Sequence, residues 1–188
     1  MPFHKFFVIP LFIAFQAFTM MVLTPYVPLT GKALGGPGLI TWISFQAWAV
    51  YFMAGGTPKM GVKSLVGYLG GILASVAIFE LAAVFSGLNS ATTPWGLYIA
   101  VFVVVVGVIC CQKVPGIDFV PSYFVGAGVF FALMTYLKKP EEAGRLAWYV
   151  QIAVPELVAC AAGLVYGWIT VVFQTWYEAK VKKASATA

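Results

Sequence analysis

Residues 64–85 read SLVGYLGGILASVAIFELAAVF, twenty-two residues in which Glu80 is the single charge. At a rise of ~1.5 Å per residue, such a run wound as a helix reaches ~33 Å, enough to cross the hydrocarbon core of a bilayer. Five more apolar runs lie on either side of it, at 6–24, 39–54, 95–111, 119–137 and 155–176. Breakers separate them. Pro25, Pro28, Gly35, Gly36 and Pro37 follow the first run, and Gly55-Gly56-Thr57-Pro58 follows the second. Asn89 to Pro94, Lys113 to Asp118 and the charged linker Lys138-Lys139-Pro140-Glu141-Glu142 divide the rest. The pattern predicts an all-α polytopic membrane protein of six transmembrane helices, forming a single transmembrane domain over residues 1–188. Leu146 to Val154 reads as an interfacial segment before a sixth span that opens at Pro155.

Composition agrees with this reading. Of 188 residues, 62% are apolar and only 9% charged, and the mean hydropathy is +0.95. A water-soluble monomer of this length cannot hide that much apolar surface. The first run follows His4 and Lys5 but is longer than a signal-peptide core and lacks a small-residue cleavage site, so it reads as a retained span.

Eleven Lys and Arg stand against six Asp and Glu, scattered between apolar runs rather than gathered on a water-facing surface, which argues against nucleic acid as a partner. Their placement reports topology instead. With six spans, Lys5, Lys59, Lys63, Lys113, Lys180, Lys182 and Lys183 fall on one side, and Lys32, Lys138, Lys139 and Arg145 on the other. The positive-inside rule then puts both termini in the cytoplasm. Three helices per half also suit a 3+3 inverted repeat of the kind found in many transporters.

Groups able to do acid–base or nucleophilic chemistry are scarce. The single histidine is His4 near the start, the single aspartate is Asp118 in a turn, and Cys110, Cys111 and Cys160 lack metal-site spacing. No catalytic residue, cofactor or metal is expected, and the chain reads as a non-enzyme.

Polar groups within the spans are the informative ones. Glu80 lies sixteen residues into its run, where an ionised carboxylate costs at least ~2.5 kcal/mol unless it meets water, a cation or a polar partner. Gly67, Gly71 and Ser75 form a small-residue stripe on the opposite face. Glu80 thus faces a polar cavity, sits nearer the interface than its place in the run suggests, or is a protonated carboxyl hydrogen-bonded inside the bundle. Glu156 follows Pro155 at the expected start of the last span, where a carboxylate caps free amides or borders a pathway. Gln46 shares a helical face with Trp42, Phe45, Ala49 and Met53, a mix that suits either a narrow aromatic-walled path or ordinary helix packing. Gln16 and Gln151 are read as further amides at membrane depth.

Three stretches carry a family resemblance: Trp42-Ile43-Ser44-Phe45 with Ala49-Val50-Tyr51-Phe52 and Gly55-Gly56, then Phe119-Val120-Pro121-Ser122-Tyr123-Phe124-Val125-Gly126-Ala127, then Pro155 with Gly163-Leu164-Val165-Tyr166-Gly167. In them the chain resembles the YcdZ-like bacterial inner-membrane proteins, the DUF1097 family, from Trp42 to Trp168. The resemblance implies a bacterial inner-membrane location and several spans, and brings no substrate or catalytic residue with it. Ser122 and Glu156 stand where that family is expected to have glycine and a small residue.

The functional expectation is a channel or facilitator for a small, mostly uncharged polar solute of the urea, amide, ammonia or weak-acid class. It would run through a narrow aromatic-lined path formed by Glu80, Gln46, Trp42, Phe45, Gln16 and Glu156. A proton-coupled carrier using Glu80 and a non-transporting scaffold are the alternatives. The expected partners are the lipid bilayer, the solute and further copies of the chain.

Overall fold

The computed structural model describes residues 1–26 and 37–186. The breaks expected at Pro28, Gly35 and Gly36 and the cation Lys32 lie outside the described residues. Seven α-helices follow in order: α1 (Phe3–Phe6), α2 (Val8–Leu23), α3 (Pro37–Met53), α4 (Pro58–Val84), α5 (Trp95–Cys110), α6 (Val120–Tyr136) and α7 (Arg145–Ala186). No strand occurs among the described residues. The segments Phe3–Leu23, Pro58–Leu88, Trp95–Lys113 and Arg145–Ser185 are long and apolar enough to cross a membrane. Helices α3 and α6, at 17 residues each, sit at the short end of the spanning range. The chain is an all-α polytopic membrane protein.

Local chemistry sets the boundaries. Helix α3 ends where Gly55 and Gly56 adopt φ of 95° and 66°, a conformation that costs glycine little. There Gly56 N–H donates to Tyr51 O and Gly55 N–H to Phe52 O, both at 3.0 Å, the bond pattern of a Schellman cap. Thr57 then accepts from Met60 N–H at 3.3 Å and Pro58 takes the first helical position, where its missing N–H is no loss. Helix α4 therefore begins at Pro58, six residues before the apolar run does.

A larger difference concerns α7. The last span was expected to open at Pro155, but the helix starts at Arg145 and runs 42 residues with Pro155 in its interior. Proline removes one intrahelical bond, the one to the Gln151 carbonyl, yet such prolines are tolerated in membrane helices. The segment 146–154 belongs to this helix rather than to a separate interfacial piece.

The chain divides into two compact units, Met1–Gly61 with Ala159–Ala188, and Val62–Val158. In the first, α3 meets the second part of α7 through small residues. A Cβ on Gly163 would collide with the Ser44 carbonyl oxygen and stand 2.8 Å from Ala47 Cβ, while one on Gly167 would stand 2.7 Å from Tyr51 Cβ. Ser44 Oγ donates to the Ala159 carbonyl at 2.8 Å, and Phe12 of α2 stacks on Phe173 with centroids 3.7 Å apart.

The second unit pairs α4 with α6 in the same style. A Cβ on Gly71 would collide with the Tyr123 carbonyl oxygen and stand 2.7 Å from Ala127 N, and one on Gly126 would stand 2.6 Å from the Tyr68 carbonyl oxygen. Backbones this close need small residues, as at many membrane-helix contacts. The Gly67–Gly71–Ser75 stripe is where α4 approaches α6, with Ser75 donating to Gly71 O at 3.0 Å. Gly96 brings the start of α5 against the Phe85 carbonyl, and its N–H donates to Asn89 Oδ1 at 2.9 Å.

Candidate functional site

Two ion pairs mark the ends of the second unit. Lys63, near the start of α4, donates to Asp118 Oδ1 at 2.7 Å, and Arg145 Nε lies 3.0 Å from Glu80 Oε1. Seventeen residues separate Lys63 from Glu80 on one helix, so the apolar stretch between the pairs is ~25 Å long, close to a bilayer core.

Glu80 therefore sits at one end of that stretch. Its side chain is half exposed, Tyr149 donates to it at 2.9 Å, and Arg145 also donates to the Phe79 carbonyl at 3.0 Å. A half-exposed carboxylate with a cation beside it needs no polar cavity to carry its charge. Arg145 and Tyr149 are the functional-looking partners that sequence reasoning passed over. The signal was present in an arginine and a tyrosine at i and i+4, but only the fold brings them to α4.

Glu156 is the opposite case. Eleven residues past Arg145 on α7, it stands ~16 Å further along the helix, within the apolar stretch rather than at its edge. It is wholly enclosed at 0% exposure, and neither carboxylate oxygen has a hydrogen-bond partner. Capping is excluded, because the helix begins eleven residues earlier. A carboxylate so placed is costly unless it holds a proton or meets a cation.

In the first unit a polar cluster lies among apolar side chains. Gln16 of α2 donates through Nε2 to the Tyr166 carbonyl at 3.2 Å and accepts from Thr170 Oγ1 at 2.8 Å. Trp48 of α3 donates through its indole N–H to the same Thr170 Oγ1 at 3.1 Å, and Thr19 and Tyr166 hydroxyls approach to 3.3 Å. Gln16, Trp48 and Thr170 are all buried. The amide oxygen, indole and hydroxyl thus satisfy one another, the amide nitrogen takes the Tyr166 carbonyl, and the cluster ties three helices together. Trp48, Tyr166 and Thr170 were not among the sequence candidates. Their side chains converge only because α3 and α7 pack through Gly163 and Gly167.

Of the remaining candidates Phe45 reaches this polar cluster, its ring stacked on that of Trp48 with centroids 5.9 Å apart, and Trp42 packs against Phe45 in turn. Trp42 is 60% exposed, Gln46 is exposed and Phe45 is half-buried. The buried face of α3 is the one bearing Ile43, Ser44, Ala47, Trp48, Val50 and Tyr51. Among the described residues an aromatic path through Trp42, Phe45 and Gln46 is therefore not enclosed, and Trp42 and Gln46 look outward. Among the described residues, no three His, Cys, Asp or Glu side chains gather as a metal would require.

No curated protein and no solved structure matches the chain. Residues 8–175, nine-tenths of its length and every helix described above except α1, match the family described as "Protein of unknown function (DUF1097)"; the chain belongs to that family.

Proposed function

We propose that the protein is a membrane carrier for a small solute, with Glu156 as the group that exchanges a proton or meets the solute's charge. One observation carries the reading: a carboxyl group held mid-span, fully enclosed, with both oxygens unpaired. Intramembrane carboxylates in that situation are costly and mark pathways for protons and ions. The proline beside it frees the Gln151 carbonyl in the preceding turn, a feature of the interrupted helices that form transporter sites.

A second line of support is a likeness in sequence between α3 and α4 on one hand and α6 and α7 on the other. Placing Gly71 on Gly163 carries Leu65-Val66 onto Leu157-Val158 and Ser64 onto Glu156. Placing Tyr123 on Ser44, the carbonyls that those two glycines meet, carries Phe124 onto Phe45 and Phe131 onto Phe52. Helices α3 and α4 would then correspond to α6 and α7, as in a 3+3 inverted repeat, with Glu156 and Ser64 at equivalent points. The solute class remains the small, polar, mostly uncharged one, and the setting a bacterial inner membrane with both termini cytoplasmic, supported by seven cations against four.

A passive channel is the second reading, favoured by the outward face of Trp42 and Gln46. It would run between copies of the chain rather than through one. The test is flux into proteoliposomes of urea, formamide, acetamide, ammonium and formate, with and without a proton gradient, for wild type, Glu156→Gln and Glu80→Gln. The carrier reading expects gradient-dependent uptake that Glu156→Gln abolishes and Glu80→Gln retains. Flux that ignores both the gradient and Glu156→Gln replaces it with the channel. Rates equal to empty liposomes for every solute overturn both and leave the scaffold.

A further inference from the structure

The outward face of α3 carries Trp42, Gln46, Ala49 and Met53, all exposed and spaced so that they form one stripe along the helix. At its centre is a polar group. Gln46 lies nine residues from the start of α3 and seven from its end, at the middle of a spanning helix of 17 residues. No hydrogen bond is made by its amide among the described residues, although the group offers two N–H donors and a carbonyl acceptor. Lipid chains offer nothing to pair with it, and water does not reach mid-bilayer.

Several other exposed polar side chains along the helices have an outlet. Thr135 donates to the Phe131 carbonyl at 2.7 Å and Gln174 to Glu178 at 3.1 Å, while Gln151 stands six residues from Arg145, ~9 Å from the ion-paired end. Gln46 has neither an internal partner nor nearness to an end.

We propose that this face of α3 is the surface on which two copies of the chain associate. A primary amide is its own complement, since the N–H of one meets the carbonyl of the other in both directions. Copies inserted with the same orientation are related by a two-fold axis along the membrane normal, which sets like helix against like helix. Gln46 then faces Gln46 of the second copy. Ala49, the next residue of the stripe, has a side chain small enough for the two backbones to close in, and Trp42 and Met53 cover the amide pair above and below. The amide distinguishes this face from an ordinary lipid-facing one, such as that of α5, where exposed Phe102, Val103 and Val106 carry no polar group. The inference stands apart from the role of Glu156 and does not require transport.

The experiment uses the full chain with Cys110, Cys111 and Cys160 replaced by alanine, reconstituted in bilayers at a low protein-to-lipid ratio. Single cysteines are then placed at Gln46, Ala49 or Phe102 and oxidised. Covalent dimers from Gln46→Cys and Ala49→Cys, with none from Phe102→Cys, are expected. In the same bilayers, energy transfer between labelled copies should weaken by about tenfold in apparent association for Gln46→Leu, the scale of one interhelical amide pair, and be largely kept by Gln46→Asn. Equal cross-linking at Phe102, or association unchanged in Gln46→Leu, overturns the proposal. So does a monomer at every ratio, which would leave the face to lipid or to a different protein.

Discussion

Tyr149 donates its hydroxyl proton to the carboxylate oxygen of Glu80, 2.9 Å away, that the Arg145 guanidinium approaches to 3.0 Å. Both ends of this ion pair are about half exposed, so solvent and headgroups screen it, and exposed pairs contribute ~0–1 kcal/mol. Glu80→Gln should therefore lower stability by under ~1 kcal/mol, read from denaturant unfolding in detergent. A collapse of the fold on that change would mean that the pair is far better shielded than its exposure indicates.

The sequence reading left two positions open for each carboxylate, and the reason is physical. Glu80 stands sixteen residues into an apolar run, but α4 starts earlier than the run and ends four residues after Glu80, where a distant arginine waits. Pro155 has the look of a helix start, because proline is favoured at a first helical position. Nothing local reveals that α7 continues through it from Arg145. Apolar runs and Gly-Pro breaks were legible because they act within a few residues. The Gln16–Thr170–Trp48 cluster was not, since it depends on which helices meet.

Lys63, donating at 2.7 Å, together with backbone amides including that of Gly116, holds the Asp118 carboxyl below its ordinary value near 3.8. A lowered value in the folded state means that the unfolded chain binds the proton more readily. The contribution is full above pH ~4 and fades as pH falls through the lowered value. Asp118→Asn should melt below wild type at neutral pH, with the gap closing as acid protonates the folded carboxyl. A gap that widens in acid would reverse the sign and remove Lys63 as the cause.

Close packing at Gly71 gives a sharper contrast. A methyl there meets the backbone of α6, which cannot move aside as a flexible side chain can, so Gly71→Ala should cost ~1–3 kcal/mol. Gly107 of α5 has nothing within 4 Å of a built Cβ, and Gly107→Ala should be neutral or gain up to ~1 kcal/mol from helix propensity. Thermal or denaturant unfolding of the two variants side by side checks the pair. Equal effects would show that α4 and α6 lie further apart than the structure has them.

Thr170 serves the Trp48 indole N–H as acceptor and Gln16 as donor, and valine matches its shape without the hydroxyl. Thr170→Val leaves a buried N–H and a buried amide oxygen unsatisfied, at a cost of ~1–2 kcal/mol in a membrane setting. The Trp48 environment should change with it, seen as a shift in tryptophan emission before unfolding. No loss of stability would imply that water already reaches the cluster.

Glu156 yields the least conventional expectation. A side chain that makes no hydrogen bond and is wholly enclosed contributes desolvation cost and no compensating bond, so removing it should help the fold. Replacing buried polar groups by apolar ones of similar volume is often neutral or stabilising by ~1–4 kcal/mol. Glu156→Met should accordingly unfold at a higher denaturant concentration than wild type while losing any proton-dependent flux, the trade expected where a site keeps a costly group for its activity. Glu156→Gln, still polar and still without a partner, should gain less. Loss of stability in Glu156→Met would show that the carboxyl is bonded in the membrane and structural, and the carrier reading would lose the observation on which it stands.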